Sequence, residues 1–267
     1  MPRTFLISGA SSGVGENLAC RLASLTCCPV LKKEGLAMHL LGRDSTNLER
    51  VASTCRDLLA AATSTSSSST NTGEAESARP TFKVTTSICD LRNGNAITEM
   101  WERDFITAHG GKLDVLVANA GVNRVGLVEE QSDEDYDTVF DTNVRGVWNL
   151  VRKAVPLFKQ QKSGQIVITN SVRGLRGSAT ATLYCGSKFA LRGMQDCWRN
   201  ELQPFGVKVG SVFPGGIDTP WWDSKDRGGR DPGTSNTKGY LQPEEVTDAM
   251  LTLINQRSNS NLAELRF

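Results

Sequence analysis

Seven short runs of β-branched and apolar residues alternate along the chain with longer segments of helical period. The runs cover 4–8, 37–41, 81–88, 113–118, 165–169, 207–213 and 262–266. Between them the spacing predicts helices over 14–25, 46–62, 97–109, 133–161, 183–202 and 244–255, the last opening on Pro243 and two glutamates. Strands and helices that alternate in this way bury both sheet faces by laying the strands parallel under two layers of helices. We therefore expect an α/β protein built as one doubly wound domain over 1–267, with a seven-stranded parallel sheet flanked by helices.

Two stretches break this rhythm. The segment 63–79 opens TSTSSSSTNT, with no side chain able to offset the entropy of ordering it, and is expected to be a disordered insertion. The segment 218–240 carries Trp221 and Trp222 followed by a polar run with Gly228, Gly229 and Gly233, and is expected to be a substrate lid.

The charge balance, 30 Lys and Arg against 29 Asp and Glu, lacks the concentrated basic field that nucleic acid or an acidic membrane surface requires, so neither is expected as a partner. No apolar run approaches the ~18 residues of a membrane span, which predicts a soluble, cytoplasmic protein. The seven cysteines include no Cys-x-x-Cys pair, and the two histidines, His39 and His109, lie far apart in sequence. Reduced thiols are expected rather than a zinc site or a disulfide framework, and metal ligands are expected to be none.

Chemistry enters at the first strand-to-helix turn, Ser8-Gly9-Ala10-Ser11-Ser12-Gly13-Val14-Gly15. Glycines there permit a tight turn and let a diphosphate approach the N–H groups and positive dipole end of the helix. Gly9-Ala10-Ser11-Ser12-Gly13 also fits the G-x-S-x-G nucleophile elbow of serine hydrolases. That elbow should follow several strands and precede its histidine, whereas this turn follows the first strand and more than half the chain lies beyond His109. At the end of the second strand Gly42-Arg43 offers a cation where an acid would bind the ribose 2′-hydroxyl of NAD, which favours NADP(H) over NAD(H). Asp44 follows directly and is either a ribose partner or a helix N-cap.

Tyr184 and Lys188 stand four apart at the start of a predicted helix, on one face and about one turn from each other. An ammonium so placed stabilises phenolate, so the Tyr184 pKa is expected to fall and the phenol to serve as a general acid or base. Ser171 lies 13 positions earlier, at the carboxyl end of a predicted strand, the sheet edge where ligands of open α/β sheets bind.

Taken together with Asn119-Ala120-Gly121, with Asn143 in Asp141-Thr142-Asn143-Val144-Arg145-Gly146, and with Pro214-Gly215-Gly216-Ile217-Asp218-Thr219, these motifs make the chain similar to the short-chain dehydrogenase/reductase family over nearly its whole length. Departures are Ser8 where Thr is commoner, Ala118 where Asn is common, and extra residues at 26–35 and in the Ser/Thr stretch. The first insertion explains why Arg43 lies further from the glycines than the usual ~20 residues. The resemblance implies a Rossmann-type fold and an NADP(H)-dependent short-chain alcohol dehydrogenase or carbonyl reductase that interconverts an aldehyde or ketone and its alcohol. A catalytically silent dinucleotide-binding sensor or scaffold is the alternative.

By the same resemblance Tyr184 would exchange a proton with the substrate oxygen and Ser171 would hydrogen-bond that oxygen. Lys188 would lower the Tyr184 pKa and hold the nicotinamide ribose, and Asn143 would hold a water linking Lys188 to solvent. The cofactor would rest on Gly9, Ser11, Ser12, Gly13, Val14 and Gly15, with Arg43, Asp90, Leu91, Asn119, Ala120 and Gly121 about the adenosine. Pro214, Gly215, Ile217 and Thr219 would frame the carboxamide, and a homodimer or homotetramer would form through the two long helices. The substrate is expected to be a small carbonyl or alcohol compound lying between 171–183, 122–127 and the lid. Arg173 and Arg176 are either a carboxylate clamp or solvent-facing, while Trp221, Trp222 and Leu183 suit an apolar or aromatic compound.

Overall fold

The computed structural model describes residues 1–26, 29–64, 80–223, 236–257 and 259–267. All seven expected strands form: β1 (Arg3–Ser8), β2 (Gly35–Gly42), β3 (Thr81–Ile88), β4 (Val115–Ala118), β5 (Gly164–Thr169), β6 (Val207–Phe213) and β7 (Glu264–Arg266). They make one parallel sheet in the order β3-β2-β1-β4-β5-β6-β7. The order reverses between β1 and β4, so the connections leaving these neighbours diverge and open a crevice at the carboxyl edge.

Period-two alternation divides β1 between two cores. Phe5 and Ile7 join α1 (Gly13–Ala23), α3 (Ser45–Ser64) and α9 (Pro243–Ile254) through Leu18, Val51 and Met250. Leu6 joins the opposite layer of α4 (Gly94–Glu99), α7 (Val147–Gln161) and α8 (Thr182–Leu202) through Ile97, Leu150 and Leu191. Trp198 packs in that layer too, whereas Phe189 on the same helix is exposed.

Three readings of the helices need correction. The helices expected over 97–109 and 133–161 are each interrupted by a wider π-helical turn, Met100–Ile106 and Asp141–Gly146, a local irregularity that hydrophobic spacing does not report. The first connects α4 to α5 (Thr107–His109), and the second divides α6 (Asp133–Phe140) from α7. The extra residues at 26–35 contain a short helix, α2 (Pro29–Glu34), that buries Leu31 against the first core. Residues 63 and 64 belong to α3 rather than to the Ser/Thr insertion, whose remainder lies outside the described residues. Among the described residues no helix is long and apolar enough to cross a membrane, and Cys20, Cys55, Cys89, Cys185 and Cys197 are free thiols.

A polar chain crosses the second core. The His39 ring bonds Thr85 Oγ1 at 2.8 Å and Ser87 Oγ at 3.1 Å, Thr85 Oγ1 meets His109 Nε2 at 2.9 Å, and Ser87 donates to Asp104 at 2.7 Å. Burial pushes His39 down to about 4, helped by His109 and opposed by Asp104; burial and then Lys83 push His109 down to about 4. Both imidazoles are thus neutral when folded. Their full contribution exists above about pH 6.5, the ordinary value, and is lost as pH falls toward 4 and only the unfolded chain takes up protons. For the buried His39 this amounts to roughly 3 kcal/mol, with less from the partly exposed His109. Urea midpoints should therefore fall between pH 7.5 and pH 4.5, and His39→Gln should flatten the dependence. An equal fall in the variant would place its source elsewhere.

Candidate active site

The turn from β1 into α1 closes because Gly9 and Gly13 take left-handed backbone angles, φ 66° and 59°. A Cβ on Gly9 would stand 2.8 Å from Ala120 Cα, and one on Gly15 would stand 2.2 Å from the Gly9 carbonyl oxygen. Ser12 occupies the N-cap of α1 without a side-chain capping bond, so the first-turn amides open toward the cleft in the manner of an anion site.

Side chains stitch this turn to the neighbouring strands. Ser8 Oγ donates to Val117 O at 3.3 Å and accepts from the amides of Asn119 and Ala120 at 3.0 and 3.2 Å. Asn119 Nδ2 donates to the carbonyls of Ser8 and Gly9, each at 3.2 Å, and its Oδ1 accepts from Thr169 Oγ1 at 3.0 Å. The Asn119 amide is therefore a fastener for the cradle, which the motif alone did not reveal.

Ser171 follows β5, where its hydroxyl accepts from Arg173 N at 3.1 Å and lies 3.5 Å from Pro214 O. Tyr184, on the first turn of α8, hydrogen-bonds Ser171. One turn on, Lys188 is 3% exposed, donates from Nζ to Thr169 O at 2.8 Å and lies 5.5 Å from the Tyr184 ring centre. Gly121 leaves the space in front of them open; a Cβ there would stand 3.7 Å from Lys188 Nζ and 3.4 Å from Asn143 Oδ1.

Two expectations change. Asn143 does not face the cleft: it is fully buried in the π-helical turn, exchanging hydrogen bonds of 2.8 Å with the Val122 amide and carbonyl and donating to Ser187 Oγ at 3.0 Å. Its side chain therefore positions the segment after β4. The expected fall in the Tyr184 pKa also fails. Burial raises the phenol to about 12, against the smaller lowering effects of the Ser171 hydrogen bond and the Arg173 charge. The same burial pushes Lys188 down to about 8, so the group expected to stabilise phenolate is itself discouraged from carrying charge.

A cleft of about 1240 Å³ runs along this edge, larger than the ~300–1,000 Å³ of a pocket for one small ligand. Ser171, Tyr184 and Lys188 line it, as do the expected cofactor residues from the glycine turn to Thr219, apart from Gly15 behind the turn. At the far end Asp44 accepts from the Asn47 backbone and side chain at 2.9 and 2.6 Å, the helix-capping alternative, while the exposed Arg43 borders the cleft. Burial works against ionisation of Asp90, but hydrogen bonds from Arg92 hold its carboxyl below the usual range. The donor set suits a dinucleotide: the glycine cradle has no room for side chains, and Thr142 Oγ1 and Asn170 Nδ2, on two cleft-lining residues, are buried without a hydrogen-bond partner.

At the other end stand Trp221, Trp222 and Tyr240. Trp222 packs on both, its ring centre 4.7 Å from Trp221 and 5.3 Å from Tyr240, and donates from Nε1 to Ile217 O at 2.7 Å. Tyr240 was missed in the sequence; the signal was Gly216, where a Cβ would lie 2.9 Å from the Tyr240 ring. Most of the expected lid, residues 224–235, lies outside the described residues.

A family model described as short chain dehydrogenase matches residues 58–228. The chain is 28% identical to an uncharacterised oxidoreductase of Staphylococcus saprophyticus, over 97% of this chain and 94% of that protein. It is 32% identical to the 3-oxoacyl-acyl-carrier-protein reductase of Thermotoga maritima, over 66% of this chain and 72% of that protein. The structure of an alcohol dehydrogenase from the archaeon Thermococcus sibiricus, complexed with 5-hydroxy-NADP, superposes with a TM-score of 0.78 at 25% identity, covering 100% of this chain and 96% of that one.

Replacing Asn143 by Ala should leave the Val122 amide and carbonyl unpaired in a buried site, at about 1–3 kcal/mol for each group. Asn143→Ala should therefore lower the thermal midpoint by several degrees in calorimetry. An unchanged midpoint would contradict the fastening role.

Proposed function

The chain belongs to the short-chain dehydrogenase family, and from that premise we propose that it is an NADP(H)-dependent oxidoreductase interconverting a carbonyl compound and its alcohol. The observation that carries this reading is the meeting of Ser171, Tyr184 and Lys188 beside the open glycine turn, within one cleft large enough for a dinucleotide and a substrate. Bound there, the dinucleotide supplies or accepts the hydride.

In the reducing direction, negative charge grows on the carbonyl oxygen and Tyr184 gives it the phenolic proton. A phenol held protonated well above neutral pH is ready for that step. The Ser171 hydroxyl accepts from the Arg173 amide and would donate to the same oxygen as its charge develops. Lys188 is anchored on Thr169 at the floor of the nicotinamide end, within reach of ribose hydroxyls. In the oxidising direction the same phenol receives the alcohol proton.

Arg43 is the cation for a ribose 2′-phosphate, a reading supported by Asp44 turning to cap α3 instead of facing the ribose. Ser11 and Ser12 line the cleft near it, and Asp90 and Leu91 border the adenine. The chain forms one domain and acts as a homodimer or homotetramer in the cytosol. Exposed Tyr136, Trp148 and Phe189 on α6, α7 and α8 support a helical interface.

Tyr184→Phe should lower turnover of an aldehyde and ketone panel by at least ~100-fold while NADPH affinity stays within a few-fold. Absorbance of the reduced nicotinamide and its fluorescence on binding report the two quantities, and joint loss of both would assign the phenol a structural role. Arg43→Ala should weaken NADPH by about 10- to 100-fold and NADH far less. Equal weakening of the two would remove the 2′-phosphate assignment.

A further inference from the structure

We propose that Arg173 is an anion receptor in the substrate end of this cleft, and that the substrate is a carbonyl compound bearing a carboxylate on an apolar or aromatic body. This rests on the oxidoreductase reading above and adds the substrate class.

Arg173 is held firmly. Its amide donates to Ser171 Oγ at 3.1 Å within the single 3-10 turn Val172–Gly174. That turn packs closely on Asn170 and α8, for a Cβ at Gly174 would lie 2.5 Å from Asn170 Oδ1 and 2.9 Å from the Lys188 carbonyl oxygen. The side chain is half-buried, lines the cleft, and its charge acts on the Tyr184 phenol. The backbone of Arg173 is thus tied to Ser171, and its charge is felt at the Tyr184 phenol.

Its charge has no protein counterpart among the described residues. Of the three other cleft arginines, Arg92 pairs with Asp90 at 2.7 Å and Arg124 with Asp135 at 3.2 Å, while the exposed Arg43 stands at the opposite, glycine-turn end. The acidic residues that line the cleft are Asp44 and Asp90, and both stand at the adenosine end. No other described carboxylate lines the cleft, whose wall holds Arg173, Tyr184, Trp221, Trp222 and Tyr240. Arg176, which the sequence grouped with it, is exposed and absent from the cleft wall.

A half-buried guanidinium without a counter-ion has lost hydration that nothing in the protein replaces. A carboxylate replaces it with two parallel N–H···O bonds, a geometry that the planar fork fits and an ammonium does not. The indole and phenol rings supply the apolar wall for the rest of the molecule. In reduction the carbonyl carbon gains the hydride pair from the reduced nicotinamide and the oxygen gains the Tyr184 proton. The C=O π bond becomes one C–H and one O–H bond, and the carboxylate passes through unchanged.

The test compares acids with their neutral esters: phenylglyoxylate with methyl phenylglyoxylate, and 4-oxo-4-phenylbutanoate with its methyl ester. In the native enzyme at least one acid should exceed its ester in kcat/KM by about 10-fold or more, the worth of a charge-assisted pair. Arg173→Met should erase that ratio mainly through KM for the acid, and Arg173→Lys should restore part of it. Calorimetric binding of the same acid should weaken in parallel, with the thermal midpoint unchanged. Equal losses on acid and ester, with a displaced alkaline limb of the pH profile, would show that Arg173 only tunes Tyr184 and would overturn the receptor. Native preference for both esters would overturn it too. Should no carbonyl compound be reduced although NADPH binds, the oxidoreductase reading fails; the receptor is then judged by calorimetry alone, where carboxylate binding that is absent or indifferent to Arg173→Met refutes it.

Discussion

The edge of the cleft depends on one small hydroxyl that fastens the diverging ends of two strands paired in the sheet. At the point where the sheet order reverses, β1 and β4 send their following segments in opposite directions, and no loop bridges the gap. Ser8 Oγ bridges it, donating to Val117 O and accepting from the amides of Asn119 and Ala120. Asn119 extends the stitch to the Gly9 carbonyl and to Thr169 on β5, the residue whose carbonyl then anchors Lys188. The glycine cradle and the catalytic ammonium are thus referenced to one hydrogen-bonded frame. That frame lets residues more than 160 positions apart hold a common geometry without rigid loops.

Placing the reactive groups in that frame has an electrostatic consequence. Burial, not mutual attraction, dominates both Tyr184 and Lys188, moving the phenol up to about 12 and the amine down to about 8. Helical spacing suggested an ion-pair-like activation, but spacing describes only proximity. The ammonium sits 5.5 Å from the ring centre and spends a hydrogen bond on a carbonyl, while the phenol is approached by Ser171 and by the field of Arg173. The resting site therefore keeps the Tyr184 phenol protonated, and formation of phenolate requires charge that the folded chain alone does not bring to it.

The strands were legible because a sheet buried on both faces favours apolar, β-branched runs, and β1, β2, β4 and β5 end at or just before Ser8, Gly42, Asn119 and Asn170, where the chain turns. The cleft residues were legible through motifs whose chemistry needs particular atoms: no Cβ at Gly9, a hydroxyl at Ser171, a phenol at Tyr184. What escaped was whatever depends on a third element. Asn143 looked like a cleft residue until the π-helical turn carried it behind Gly121, and Asn119, which lines the cleft as expected, also fastens the cradle through Thr169 and Gly9. Tyr240 was invisible because its partner is a bare glycine, Gly216, in a different segment. A short polar side chain announces that it needs partners, but the sequence does not say whether those partners belong to the protein or to a ligand.

That distinction between filled and unfilled bonding capacity separates the two ends of the cleft. At the adenosine end the charges are largely satisfied within the protein, Asp90 by Arg92 and Asp44 by the turn it caps, so a ligand arriving there exploits backbone amides and the exposed Arg43. Near Tyr184 the balance is reversed: Asn170 Nδ2 is buried without a partner and Arg173 lacks an acid among the described residues, in front of a wall of aromatic rings. An unsatisfied donor beside a cleft is where a ligand gains most by supplying the missing acceptor. The cofactor end is thus organised around shape, through glycines that admit no side chain, and the substrate end around charge that awaits its opposite.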